Sequence, residues 1–247
     1  MSLASKRLSS ICATAALAGI ANAQSLTGNV GSAGINPGEQ AAEWRIGVDD
    51  KGSARSRIHY ERAPTDWYQL RAIASFRRDD GDTWDYSGFT LENWFQWAAE
   101  KSDGAGFNGG LRLAYTFADG AASDDLTVRF TMTDRFADDW EWRANMLAQV
   151  ETDNPHTDGA ELQSRFQVTR TVPLTLLGTQ DWRMGAEWFS EYGNTEDLFG
   201  FQDQAHQVGP VVKAAWRNGI YLQAGVRTGI TDGSDDRMAK IFLGREF

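Results

Sequence analysis

The chain has 247 residues, with 24 Lys+Arg against 34 Asp+Glu, three histidines, a single cysteine and ten tryptophans. Its net charge of −10 argues against a nucleic-acid partner, whose phosphates need a basic surface, and one cysteine rules out an internal disulfide framework. No stretch approaches the ~18 continuous apolar residues that a transmembrane helix needs, yet an aromatic content of 12% is high for so acidic a chain.

The first residues have the form of an export signal. Lys6 and Arg7 precede an apolar run over 11–20, and Ala21-Asn22-Ala23 before Gln24 is a small-x-small cleavage site, so 1–23 is expected to be a signal peptide. Cys12 lies inside its apolar part, not at the cleavage point, which argues against a lipid anchor. Residues 24–41, rich in Gly, Ser and Asn, lack helical and strand periodicity. They are expected to be a flexible leader, with entry into a barrel mouth as the alternative.

From Trp44 the period becomes two: Trp44, Ile46 and Val48 alternate with Arg45 and Gly47, as in a half-buried strand. The turn 49–52 follows, and the unit then recurs to the end of the chain. Its clearest copy interleaves Leu126, Val128, Phe130 and Met132 with Thr127, Arg129, Thr131 and Thr133. Others are Tyr68, Leu70, Ala72, Ala74 and Phe76; Trp140, Trp142, Ala144, Met146, Ala148 and Val150; and Ile220, Leu222, Ala224 and Val226. Twelve such units are expected between 42 and 247. Segments of about ten alternating residues between turns suit strands tilted across a bilayer, and an even number suits a single-chain barrel. The expected fold is all-β, an antiparallel up-and-down transmembrane barrel; a soluble sandwich is the alternative.

If both termini are periplasmic, the outer connections near 49–52, 79–83, 119–125, 152–159, 193–204 and 228–236 are Asp and Gly rich. The inner ones near 62–66, 134–138 and 217–219 are tighter, while 171–180 is longer than that rule explains. The same orientation brings Trp44, Trp67, Trp94, Trp97, Trp140, Trp142, Trp182 and Trp216 to the periplasmic ends of their strands, where they are expected to anchor the barrel in the membrane interface.

The polar register carries Arg45, Arg57, Arg71, Arg112, Arg129, Arg143, Arg165, Arg183, Lys213, Arg227 and Lys240, against Glu92, Glu141, Glu151, Glu161, Glu187 and Glu246. A net basic lumen is expected. Rings of Arg or Lys line anion-passing pores, so these bases point to a solute pathway favouring small anions such as acidic sugars or aromatic carboxylates. The alternative is a closed barrel cross-linked by ion pairs, since twelve strands lie between filled and open sizes. The acidic outer loops are read as solvated tips rather than metal sites, with no cofactor, and they would face lipopolysaccharide. Among His59, His156 and His206, only His156 with Asp153 or His206 with Asp203 could make a surface pair. Neither makes a catalytic motif, and a non-enzyme is expected over a membrane hydrolase.

The last strand, 238–247, puts Ala239, Ile241, Leu243 and Phe247 on one side and ends on an aromatic, as does the closing strand that the barrel-assembly machinery reads. With His206-Gln207-Val208-Gly209-Pro210-Val211-Val212, Leu222-Gln223-Ala224-Gly225-Val226, Gly229-Ile230-Thr231-Asp232-Gly233 and Phe242-Leu243-Gly244-Arg245-Glu246-Phe247, the final forty residues resemble small outer-membrane transporters of Gram-negative bacteria, including those grouped with aromatic-compound degradation. Strand number and inward arginines also resemble the twelve-stranded porins for acidic oligosaccharides. The resemblance implies an outer-membrane location and passive transport. Arg245 departs from the pattern, which has an aromatic two residues before the last.

Overall fold

In the computed structural model, the described residues are 26–99, 106–137, 139–153, 159–174, 176–179 and 181–247. The expected signal peptide, residues 24 and 25 of the leader, and His156 lie outside them. The chain forms β1 (Gln40–Asp49), β2 (Ala54–Arg62), β3 (Tyr68–Arg78), β4 (Asp85–Ala98), β5 (Gly106–Ala118), β6 (Asp125–Phe136), β7 (Trp140–Glu151), β8 (Glu161–Val172), β9 (Asp181–Asn194), β10 (Ala205–Ala215), β11 (Ile220–Gly229) and β12 (Arg237–Glu246). Every strand pairs antiparallel with its sequence neighbours, and β1 pairs with β12 to close a twelve-stranded barrel. Closure leaves no free sheet edge, the condition for a sheet to exist in hydrocarbon.

The alternation sorts side chains as a membrane barrel does, and inverts the order of a soluble sandwich. Ile58, Leu70, Phe130, Met146, Phe166, Ile241 and Leu243 point outward and are exposed. Thr131, Asn145, Gln167, Thr169 and Glu187 are almost completely buried inside. An exposed apolar girdle around a polar interior is stable only with lipid outside.

Both ends of the barrel chain, Gln40 and Glu246, lie at one mouth, where connections run to three to eight residues; at the other mouth they run to four to ten. The terminal mouth is therefore the periplasmic one. The described residues 173–174 and 176–179 of the connection between β8 and β9 lie along that rim. Trp216 Nε1 donates to Leu177 O at 3.0 Å and Trp182 Nε1 donates to Thr179 Oγ1, leaving Leu176 and Leu177 exposed at the rim. Its length thus supplies apolar surface to the membrane interface. At the outer mouth, Lys51 of the first loop pairs with Asp235 of the last at 2.8 Å across the β1–β12 seam, and Asp235 raises the lysine's pKa.

Seven of the eight tryptophans face outward or lie at the rim: Trp44, Trp67, Trp97 and Trp140 are exposed, and Trp142, Trp182 and Trp216 are half-buried. Trp94 differs. It is 5% exposed and packs with Ile35 and Ala63 inside the barrel, beneath the Arg112 guanidinium at 3.6 Å. Its position two residues from Glu92 puts it on the inward register, so Trp94 is a lumen residue and not a membrane anchor. Replacing Trp97 by Phe should lower the quenching of tryptophan fluorescence by brominated lipids. The same change at Trp94 should leave that quenching unaltered.

Candidate functional site: the lumen and its inner vestibule

Period two alone aims every second residue of twelve strands at one axis, and the eleven expected bases all lie on that inward register. Arg45, Arg112, Arg165, Arg227 and Lys240 are buried; Arg57, Arg71, Arg129, Arg143, Arg183 and Lys213 are half-buried. The acids are more numerous than the expected six. Glu43, Glu61, Asp125, Asp181 and Glu191 share the same register, as do the further bases Arg55 and Arg135, so acids and bases of the lumen come close to balance. Their parity with Arg45, Arg57, Arg129 and Glu187 was the signal for them.

Balance in number hides a separation in space. Near the middle, Glu92 on β4 takes Arg71 at 3.0 Å, Arg112 at 3.4 Å and Arg129 at 4.0 Å. A second cluster centres on Glu187, fully buried, with Lys240 at 2.6 Å, Arg227 at 3.7 Å and a hydrogen bond from Gln167. Phe189 forms its floor, under the Arg227 guanidinium at 3.7 Å, while Phe242 lies between Arg45 and Lys240. Desolvated cations over rings are favourable contacts. Asp125, Glu151, Glu161 and Glu191 gather toward the outer mouth, which is therefore acidic.

The lumen is occupied by the chain itself. Residues 26–36, expected as part of a flexible leader, thread the barrel, with Leu26, Thr27, Val30 and Ala33 at most 2% exposed. Such a segment has no strand partner for its backbone groups, which must be satisfied once buried. Lumen side chains do this. Asn145 makes a two-way bond with Gly31, accepting from its N–H at 2.8 Å and donating to its carbonyl at 3.0 Å. Thr133 and Gln96 accept from the N–H groups of Ala33 and Ile35. Arg112 donates to Ser32 O at 2.6 Å and Lys240 to Gly28 O at 2.9 Å. Gly47 makes room on β1, since a Cβ there would lie 2.2 Å from Leu26 O.

Below this segment is a cavity of about 410 Å³, on the side of the terminal mouth, floored by Asn29, Gly31, Ser32, Gly34 and Asn36. One wall carries Arg143, Arg183 and Lys213; the facing wall carries Glu43 and Glu61, paired with Arg45 and Arg71, together with Glu39 and Glu246. Burial raises the pKa of Glu39, which the hydrogen bond from Asn36 opposes. His59 is buried beside Glu43, and His206 lies at the outer rim. His206 does not pair with Asp203: its ring contacts Ser190 Oγ and Gln204 Oε1, both at 2.9 Å, and stacks on Phe201.

A model of the family described as "Putative MetA-pathway of phenol degradation" matches residues 86–243, more than half of the chain. The chain belongs to this family. Its barrel resembles that of the solved KdgM porin, with a TM-score of 0.61 at 8% identity over 84% of this chain and 99% of that one. A KdgM porin in complex with disordered oligogalacturonate gives 0.59 at 8% identity over 84% and 98%. The NanC porin gives 0.51 at 9% identity, again over 84% and 98%. At such identities the likeness is one of fold. No curated protein matches the sequence. For this member of the family, fold and apolar girdle together make it an outer-membrane β-barrel.

Proposed function

We propose that this protein is a porin-like barrel of a Gram-negative outer membrane that gives small solutes passive passage, favours anions, and is held closed by residues 26–36. The observation that carries the preference is the set of lumen bases left over after pairing. Among the described residues Arg57, Arg165, Arg183 and Lys213 have no carboxylate within ion-pair distance; Arg165 donates to Asn29 O and Gln163 Oε1, and Arg183 to two threonine hydroxyls. All four lie on the inward register, so the selective part of the path is its middle and inner half, below the acidic outer ring. The fold shared with the KdgM and NanC porins is compatible with passage, and oligogalacturonate, bound in one of those structures, is acidic.

Outside the lumen, the apolar girdle meets lipid, the acidic outer loops meet lipopolysaccharide through shared divalent cations, and the exposed Phe247 is presented to the barrel-assembly machinery. The protein acts without a cofactor and without catalysis. Reversal potential across planar bilayers under a salt gradient tests the preference. A potential of the anion-selective sign is expected, and one of the cation-selective sign would overturn it.

The occupied lumen favours a second reading, a permanently closed structural or binding barrel. That reading requires a conductance near zero even after residues 24–36 are removed.

A further inference from the structure

Two inward bases stand side by side without an ion pair of their own. Lys213 on β10 pairs in register with Arg183 on β9, and like charges directly opposite each other on adjacent strands repel. Another such pair, Arg112 and Arg129, also in register, shares the carboxylate of Glu92. At Arg183 and Lys213 no carboxylate is shared. Arg183 donates only to the hydroxyls of Thr169 and Thr171, and its Nη2 is buried with no hydrogen-bond partner. Lys213 has neither an ion pair nor a hydrogen bond among the described residues. The nearby Glu141 is taken by Arg143 at 2.7 Å and Arg135 at 3.2 Å. Asp181, on the same register as Arg183, also lines the cavity but lies beyond ion-pair distance of both bases.

We propose that Arg183 and Lys213, backed by Arg143, form a binding site for a small organic monocarboxylate in the inner vestibule. The proposal rests on the anion-favouring reading of the lumen and adds a defined site to it. A carboxylate fits because Arg183 has a buried N–H without an acceptor, a group that is costly to leave unpaired, beside an ammonium that can share the second oxygen. One charge fits better than two, since the opposite wall carries Glu39 and Glu246, which would repel a second carboxylate. A cavity of about 410 Å³ is in the range of small-ligand pockets. Residues 28–36 cover it toward the outer mouth, so the ligand reaches it from the periplasm.

Benzoate is the probe, and benzamide, of equal shape without the charge, is its control. Titration calorimetry on the folded full barrel in detergent should show saturable benzoate binding and none of benzamide. Arg183→Gln and Lys213→Met should each weaken benzoate binding at least tenfold, and Lys51→Gln in the outer loop should not. Because each of the first two changes also relieves the repulsion, the unliganded variants should keep or raise the temperature of the mobility shift on a denaturing gel. Benzoate should raise it only in the unsubstituted barrel. Absence of benzoate binding, equal binding of benzamide, or binding unaffected by either substitution would overturn the site. Conductance does not enter the assay, so failure of the pore reading and failure of the site are separate results.

Discussion

Deletion of residues 24–36 should raise the single-channel conductance of the folded barrel severalfold, with no change in strand content. The segment fills the lumen where Asn145, Thr133 and Gln96 hold its backbone from β7, β6 and β4. Arg112 and Lys240 hold it from β5 and β12. None of these contacts joins one strand to another, so the barrel's ladder of hydrogen bonds does not depend on them. The released side chains are polar and would be hydrated in an open lumen, which keeps the cost of removal small. Substituting Gly47 by Val should act in the same direction, because its side chain would occupy the position of Leu26 O. Unchanged conductance in both variants would leave the closed barrel as the better account.

The second large effect concerns stability. Glu92→Gln should destabilise the barrel by about 3–5 kcal/mol, the usual penalty for removing one partner of a buried ion cluster. Glu92 is 3% exposed and lies among Arg71, Arg112 and Arg129. Without its charge, three guanidiniums face one another in a confined space, with only Glu61 left to Arg71. The loss should appear as a lower temperature for the mobility shift between folded and unfolded forms on denaturing gels. Adding Arg112→Gln to Glu92→Gln should restore part of it, since that removes an uncompensated charge. Glu246→Gln, exposed at the rim and without an ion pair, should change stability by less than ~0.5 kcal/mol. Equal effects at Glu92 and Glu246 would contradict the assignment of Glu92 as the centre of the cluster.

The barrel was legible because its governing signal is local. A period of two needs only a window of a few residues, and each of the twelve strands carries it, down to Ala239, Ile241 and Leu243 on the outward side of β12. The same rule contained corrections that a reading by residue type overlooked. Trp94 has the parity of Glu92, Phe189 that of Glu187, and Phe242 that of Lys240, so all three aromatics face the lumen although aromatics are expected at lipid. Glu43, Glu61 and Glu191 follow from parity as well, and with them the near balance of lumen charge. Pairing within the lumen is different: that Lys213 stands beside Arg183 on the neighbouring strand while Glu141 goes to Arg143 depends on register and rotamer, which no local window contains.

The occupied lumen was not legible for a related reason. Residues 26–36 have no period because they make no ladder. Their backbone groups are satisfied by side chains from strands far away in sequence, as with Gly31 and Asn145, 114 residues apart. Two traces were present: a run of small residues able to pass through a narrow polar space, with Leu26, Val30 and Ile35 at intervals, and Gly47 on the inward register of β1, two residues from Arg45. Each gains meaning only when the other is placed against it.

Whether the leader closes the lumen is tested most directly by a cross-link. Cys12 is the chain's only cysteine and belongs to the expected signal peptide, so cysteines introduced as Ala33→Cys and Thr133→Cys would be the only thiols of the exported chain. Ala33 N–H donates to Thr133 Oγ1 at 3.0 Å in the intact lumen. Mild oxidation of the membrane-embedded double variant should give an intramolecular disulfide in nearly all molecules, with a conductance that stays low until the bond is reduced. Failure of the bond to form, with both thiols open to a bulky maleimide, would show a lumen that residues 26–36 do not occupy.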